Sequence, residues 1–198
     1  MSIQVRNLNK SYGSLHVINN WSGIFKDGQT YCIKGDSGSG KTTLLRILMG
    51  LEKADDGDIN GLRNQKISVV FQEDRLLENN DIYTNIAIVE NSDFAGQDPK
   101  EYVRKACESI GLQDCNDKPV RELSGGMKRR VAILRALSTD YDILLLDEPF
   151  KGLDHENRKK VMDYVKMQTK DKTVILVTHD EYEADYMGCI VYSITSPL

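Results

Sequence analysis

The sequence predicts an α/β fold built around a largely parallel sheet, on three observations. The apolar runs Ile143–Asp147 (ILLLD) and Thr173–Thr178 (TVILVT) do not alternate with polar residues, as expected of interior strands covered on both faces. Segments with helical periodicity lie between strand-like segments, the order expected of parallel βαβ units. The chain has 198 residues, 40% hydrophobic and 28% charged, enough for one domain with a sizeable core and too apolar for a disordered segment.

Taken in order, Ile3–Arg6, His16–Phe25 and Tyr31–Lys34 read as strands. A helix follows from Leu44, and Ile67–Phe71 reads as the next strand. The short stretch between Asp58 and Phe71 suggests an abbreviated antiparallel β-region. From Pro99 to Leu112, residues Val103, Ala106, Cys107 and Ile110 share one helical face. From Gly126 to Ser138, Met127, Val131, Leu134 and Leu137 do the same. Glu156–Met167 repeats the pattern more weakly through Val161, Tyr164 and Val165, and Cys189–Ile194 reads as a last strand. The polar, mostly helical region after Glu73 lies between core strands, so residues 73–138 are expected to form a helical insertion within a single domain spanning 1–198.

A net charge of −4 and a pI near 5.5 weigh against non-specific nucleic-acid binding, which needs a basic surface. The start, MSIQVRNLNK, has no apolar region of the signal-peptide kind. No run approaches the ~20 apolar residues of a spanning helix, so any membrane crossing falls to another chain. Cys32, Cys107, Cys115 and Cys189 form no CxxC pair and no metal-ligand spacing. They are expected to be reduced packing residues of a cytosolic chain.

Gly35-Asp36-Ser37-Gly38-Ser39-Gly40-Lys41-Thr42-Thr43 follows a strand and opens a helix, the context that the pattern G-x-x-x-x-G-K-[ST] requires. Its glycines let successive amides turn toward a phosphate, and the helix N-terminus adds partial positive charge. Lys41 supplies a mobile ammonium, and the Thr42 hydroxyl is suited to Mg²⁺. The fold class is thereby a P-loop NTPase core. At the carboxyl end of ILLLD, Asp147 is expected to hold Mg²⁺, and Glu148 to orient or deprotonate an attacking water. Ser124, Gly125 and Gly126 precede an amphipathic helix and form a second anion-binding helix start. One monomer needs only one such cradle, so the second points to a partner.

Leu123-Ser124-Gly125-Gly126-Met127 resembles the signature motif of ATP-binding cassette (ABC) ATPases. The family's other landmarks follow in order. Tyr12 is similar to its adenine-stacking aromatic and Gln72 to the glutamine that senses Mg²⁺ and water. Gly152-Leu153-Asp154 resembles the loop that contacts the facing subunit, and His179 the histidine that contacts the γ-phosphate. His16 and His155 are read as ordinary surface residues. The resemblance runs nearly end to end.

It implies an ATPase using ATP and Mg²⁺, with two subunits packed head to tail, each signature capping the nucleotide held by the other's phosphate loop. The pair, expected to be a homodimer, would power an integral membrane permease from the cytoplasmic face, with no nucleic-acid partner and no direct contact with the cargo. Import is favoured because Phe71–Leu77 and Leu146–Asp154 look like the nitrate-, sulfonate- and taurine-type importer ATPases. An exporter ATPase is the alternative, as are a soluble ABC ATPase of DNA repair or chromosome structure and a P-loop kinase. The short run between Lys41 and Ser124 leaves no room for the long coiled coil of the DNA-repair class. Met127 stands where the signature usually has glutamine, implying slower or differently coupled turnover. The few residues after His179 imply trimmed terminal elements and no attached regulatory domain.

Overall fold

The computed structural model describes residues 2–89, 98–115 and 118–195. Among them the strands are β1 (Ser2–Tyr12), β2 (Leu15–Lys26), β3 (Thr30–Lys34), β4 (Asp56–Asn60), β5 (Ile67–Val70), β6 (Ile143–Asp147), β7 (Thr173–Val177) and β8 (Ile190–Ser193). The helices are α1 (Lys41–Leu48), α2 (Ile82–Ala87), α3 (Pro99–Ser109), α4 (Gly125–Leu137), α5 (His155–Gln168) and α6 (Glu181–Tyr186). Among the described residues no helix is long and apolar enough to cross a membrane.

The five-stranded sheet has the order β5-β6-β7-β3-β8, and every pairing in it is parallel. All residues of β6 and β7 are buried, which is the physical reason for their unalternating sequence. Leu144, Leu146, Val174 and Leu176 join a core with residues of α2, α3, α4 and α5. Ile143, Leu145, Ile175 and Val177 join a second core, with Leu44 and Leu45 of α1 and Trp21 and Phe25 of β2. Helices of the 73–138 region therefore share one continuous core with the sheet. Residues 90–97, part of that expected insertion, lie outside the described residues.

A three-stranded antiparallel sheet, β2-β1-β4, lies apart from the parallel one. The sequence pattern placed the end of the first strand at Arg6, but β1 continues to Tyr12. The cause is a bulge. Asn7 has a φ of 50°, its amide donates to Ser22 Oγ at 2.9 Å, and the register with β2 shifts between Val5 and Leu8. The bulge breaks the alternation without ending the strand. The two sheets are joined by aromatic rings: Phe25 of β2 meets Tyr31 of β3 edge-on at 5.0 Å and Tyr192 of β8 edge-on at 5.6 Å. Trp21 Nε1 donates to the Ser193 carbonyl at 3.1 Å across the same junction.

Helix starts match their caps. Asp81 accepts from the Thr84 amide, Ser124 from Met127, Asp154 from Asn157 and Asp180 from Tyr182. Pro99 occupies the first turn of α3, where its missing N–H costs nothing. Cys32, Cys107 and Cys115 are buried free thiols, and Cys189 is half-buried and free.

Candidate functional site

The loop from Gly35 to Gly40 leaves β3 and enters α1 in a conformation that only glycine tolerates at two points. Gly40 has a φ of 95°, and a Cβ there would stand 2.6 Å from the Val17 carbonyl oxygen. At Gly35 a Cβ would stand 2.2 Å from the Ile194 carbonyl oxygen. Because Gly40 is also the cap of α1, no side chain bonds the first-turn amides, which remain available to an anion. Lys41 is only 9% exposed, and its Nζ donates to the carbonyls of Gly35 at 2.8 Å and Asp36 at 2.7 Å. The Ser39 hydroxyl is buried with no hydrogen-bond partner among the described residues. An orphaned hydroxyl, open amides and a folded-back ammonium together fit a phosphate.

Opposite the loop, β6 ends in its two carboxylates. The Thr42 hydroxyl donates to Asp147 Oδ2 at 3.0 Å. Asp147 is buried, and burial pushes its pKa up; the Thr42 bond opposes this and the neighbouring Glu148 charge adds to it. Glu148 has a φ of 45°, a conformation rare for a residue with a side chain, and its amide donates to the Val177 carbonyl at 2.9 Å. Its carboxylate receives Lys151 Nζ at 2.7 Å and stands 3.4 Å from His179 Nδ1. The Lys151 bond is the main reason that the Glu148 pKa is lowered. The His179 ring is itself largely exposed.

Gly35, Asp36, Ser37, Gly38, Gly40, Lys41, Thr42 and Thr43 line one cleft of about 600 Å³ together with Gln72, Asp147, Glu148 and His179. Ser39 lies buried beneath the loop. Tyr12 is not in the lining; it stands exposed at the end of β1, with Lys10 Nζ 5.2 Å from its ring centre. Ser124, Gly125 and Gly126 are also absent from the lining. Ser124 and Gly125 are exposed at the start of α4, and a Cβ on Gly125 would meet open space. Gly126 lies beside Gly152 and Leu153, where a Cβ would be 3.3 Å from the Gly152 carbonyl oxygen. The chain thus brings the phosphate loop and the carboxylates together and leaves the signature elsewhere.

Sequence reasoning missed four contributors. Val17, Lys151 and Val177 line the cleft, and Arg129 lies behind it, 4% exposed. Arg129 follows the helical spacing of Ile133 and Ala136, both buried. That shared spacing with buried apolar residues was the available signal.

Residues 18–151 match the family model described as ABC transporter. The sulfate/thiosulfate import ATP-binding protein CysA of Acinetobacter baylyi is 36% identical over 200 residues, covering 93% of this chain and 57% of that protein. The protein of the same name from Escherichia coli is 38% identical over 200 residues, covering 93% and 55%. The chain therefore spans a little over half the length of these relatives. Their names point to sulfate and thiosulfate, whereas Phe71–Leu77 and Leu146–Asp154 resemble the nitrate-, sulfonate- and taurine-type. A dimeric structure of the ATP-binding cassette MJ0796, in a post-hydrolysis state bound to ADP and Pi, superposes with a TM-score of 0.83 at 27% identity, covering 99% of this chain and 97% of that one. With the match over Gly40–Thr42, Ser124–Gly126 and Asp147–Glu148 in that order, the chain belongs to the ABC transporter family.

Proposed function

We propose that this chain is the ATP-binding and ATP-hydrolysing subunit of a membrane importer, acting as a head-to-tail pair at the cytoplasmic face of the membrane beside a separate permease. One observation carries the reading. The phosphate loop and the Asp147–Glu148 pair share a single cleft, while the Ser124 cradle is built, exposed and outside it. A second copy turned head to tail would present Ser124–Gly126 to the open side of that cleft.

The roles follow from the geometry. The cleft-lining amides of the loop and the Lys41 ammonium hold the phosphates. Tyr12 stacks on adenine beyond the cleft's edge. Thr42 Oγ1 and Asp147 Oδ2, 3.0 Å apart, and the Gln72 amide form an all-oxygen donor set suited to Mg²⁺ with its waters. Mg²⁺ bound there would neutralise charge on the phosphates. The buried Asp147 carboxylate, destabilised as an anion by desolvation, gains most from that cation. Glu148 accepts the proton of the attacking water, and His179, 3.4 Å from it, faces the γ-phosphate.

On the other side of Thr42, Gln72 and Asp147 lies a second cleft of about 650 Å³, walled by Leu51, Phe71 and Arg75. This shared wall suits a contact through which the permease senses the nucleotide. Glu148→Gln tests the reading: ATP binding is expected to persist while phosphate release nearly stops. Near-normal phosphate release would remove Glu148 as the base. Co-purification from solubilised membranes is expected to bring down an integral permease, and its absence would remove the transport assignment.

A further inference from the structure

Arg129 is the most heavily bonded side chain near the cleft, yet it does not line it. Its Nη2 donates to the carbonyls of Asp147 and Glu148, each at 2.8 Å, and its Nε to that of Pro149 at 2.8 Å. Its Nη1 reaches the other way, to the Phe71 carbonyl at 2.5 Å, the Gln72 carbonyl at 3.4 Å and Asp74 Oδ1 at 3.0 Å. One guanidinium thus grips two chain segments just where β5 and β6, paired in parallel, stop bonding to each other.

We infer that Arg129 is a positioning residue that fixes the Gln72 loop against the Glu148 turn and so sets the base and the amide at one mutual distance. The Glu148 turn needs such a hold. Its φ of 45° is unfavourable, and the peptide is pinned by its amide on Val177 and its carbonyl on Arg129. The planar fork is the chemical requirement: five donors in fixed directions satisfy carbonyls on two segments at once. A lysine ammonium carries the same charge from a single nitrogen and cannot span both. Asp74 balances the buried charge from the loop side. Arg129 also lies one turn into α4, whose first residues are the Ser124 cradle, so whatever docks on that cradle bears on the helix that holds the base.

The inference rests on the ATPase reading, and ATP hydrolysis by the parent chain separates the two failures. Full-length Arg129→Lys, Asp74→Asn and Glu148→Gln are assayed for ATP hydrolysis, fluorescent-nucleotide binding and thermal unfolding. Arg129→Lys is expected to lower kcat by about tenfold to a hundredfold, the range for misplacing a reacting group by about 1 Å, while KM for ATP moves less than about threefold. Asp74→Asn keeps every backbone bond of Arg129 and loosens only the loop end. It is expected to lower kcat by about threefold at unchanged KM, which keeps the test decisive if Arg129→Lys fails to fold. Unchanged kcat in Asp74→Asn and Arg129→Lys, or kcat and nucleotide binding falling together by one factor, would reduce Arg129 to a structural residue. Absence of ATP hydrolysis in the parent chain would instead overturn the ATPase reading itself, and normal turnover in Glu148→Gln would remove Glu148 as the base.

Discussion

Two helix starts in this chain face outward with amides to offer, and they are built differently. At α1 the cap is Gly40, no side chain occupies the amides, and the loop from Gly35 roofs them with Lys41 nine-tenths buried. At α4 the cap is Ser124, whose hydroxyl accepts from the Met127 amide at a long 3.3 Å, and the neighbouring Gly125 faces open space. The first start is a cleft with a lysine and two carboxylates around it. The second is a surface patch with a loosely held hydroxyl. An anion bound at α1 alone is therefore gripped on one side and open on the other among the described residues, and on the proposed reading a second copy covers it.

The sharpest way to break this contrast is at the chemistry beside α1. Glu148→Gln is expected to reduce hydrolysis by roughly 10²–10⁴-fold, the usual contribution of a positioned base, with ATP-induced thermal stabilisation retained. Lys41→Ala removes the charge-assisted bonds to phosphate, each worth about 1.5–3 kcal/mol, so ATP-dependent thermal shift is expected to shrink or vanish. An unchanged shift would mean that the loop is not the phosphate site. At α4 the expectation differs in kind. Ser124→Ala is expected to cost about 1 kcal/mol of stability through the lost cap, to leave ATP binding by the single chain unchanged, and to slow hydrolysis. If Ser124→Ala weakened ATP binding at protein concentrations too low for pairing, the two starts would belong to one site after all.

The smallest effect concerns a carboxylate outside both starts. Glu183 is buried, accepts from Thr178 Oγ1 at 2.5 Å, and has its pKa raised chiefly by burial. A carboxyl with a folded pKa above its unfolded one favours the fold most when protonated. That contribution is complete below the unfolded pKa and is lost as pH rises through the folded one. Glu183→Gln, permanently neutral, is expected to melt at a higher temperature than the parent at neutral pH, with the gap closing as pH falls into the ordinary carboxylate range. A gap that is constant with pH would show that Glu183 ionises without penalty.

What the sequence made legible follows from how local each cause is. The parallel sheet was visible because β6 and β7 are buried on both sides and so lose alternation within the strand itself. The phosphate loop was visible because Gly35 and Gly40 meet backbone that cannot move away. The length of β1 was not, because the bulge at Asn7 is resolved by Ser22 on another strand. Helices α2 and α6, six residues each, are too short for periodicity to register. Arg129 was hidden for the same reason as the length of β1. Its burial is licensed by the carbonyls of Phe71, Asp147, Glu148 and Pro149, which are distant in sequence. Lys151 was passed over because an exposed lysine beside a turn looks ordinary until its bond to Glu148 is seen.

The most direct test is a crystal structure of the Glu148→Gln variant with ATP and Mg²⁺. The expected result is a head-to-tail pair in which Ser124 of one copy lies within hydrogen-bonding distance of the γ-phosphate held by Lys41 of the other. Triphosphate fully enclosed by one chain, with Ser124 facing solvent in every copy, would contradict it.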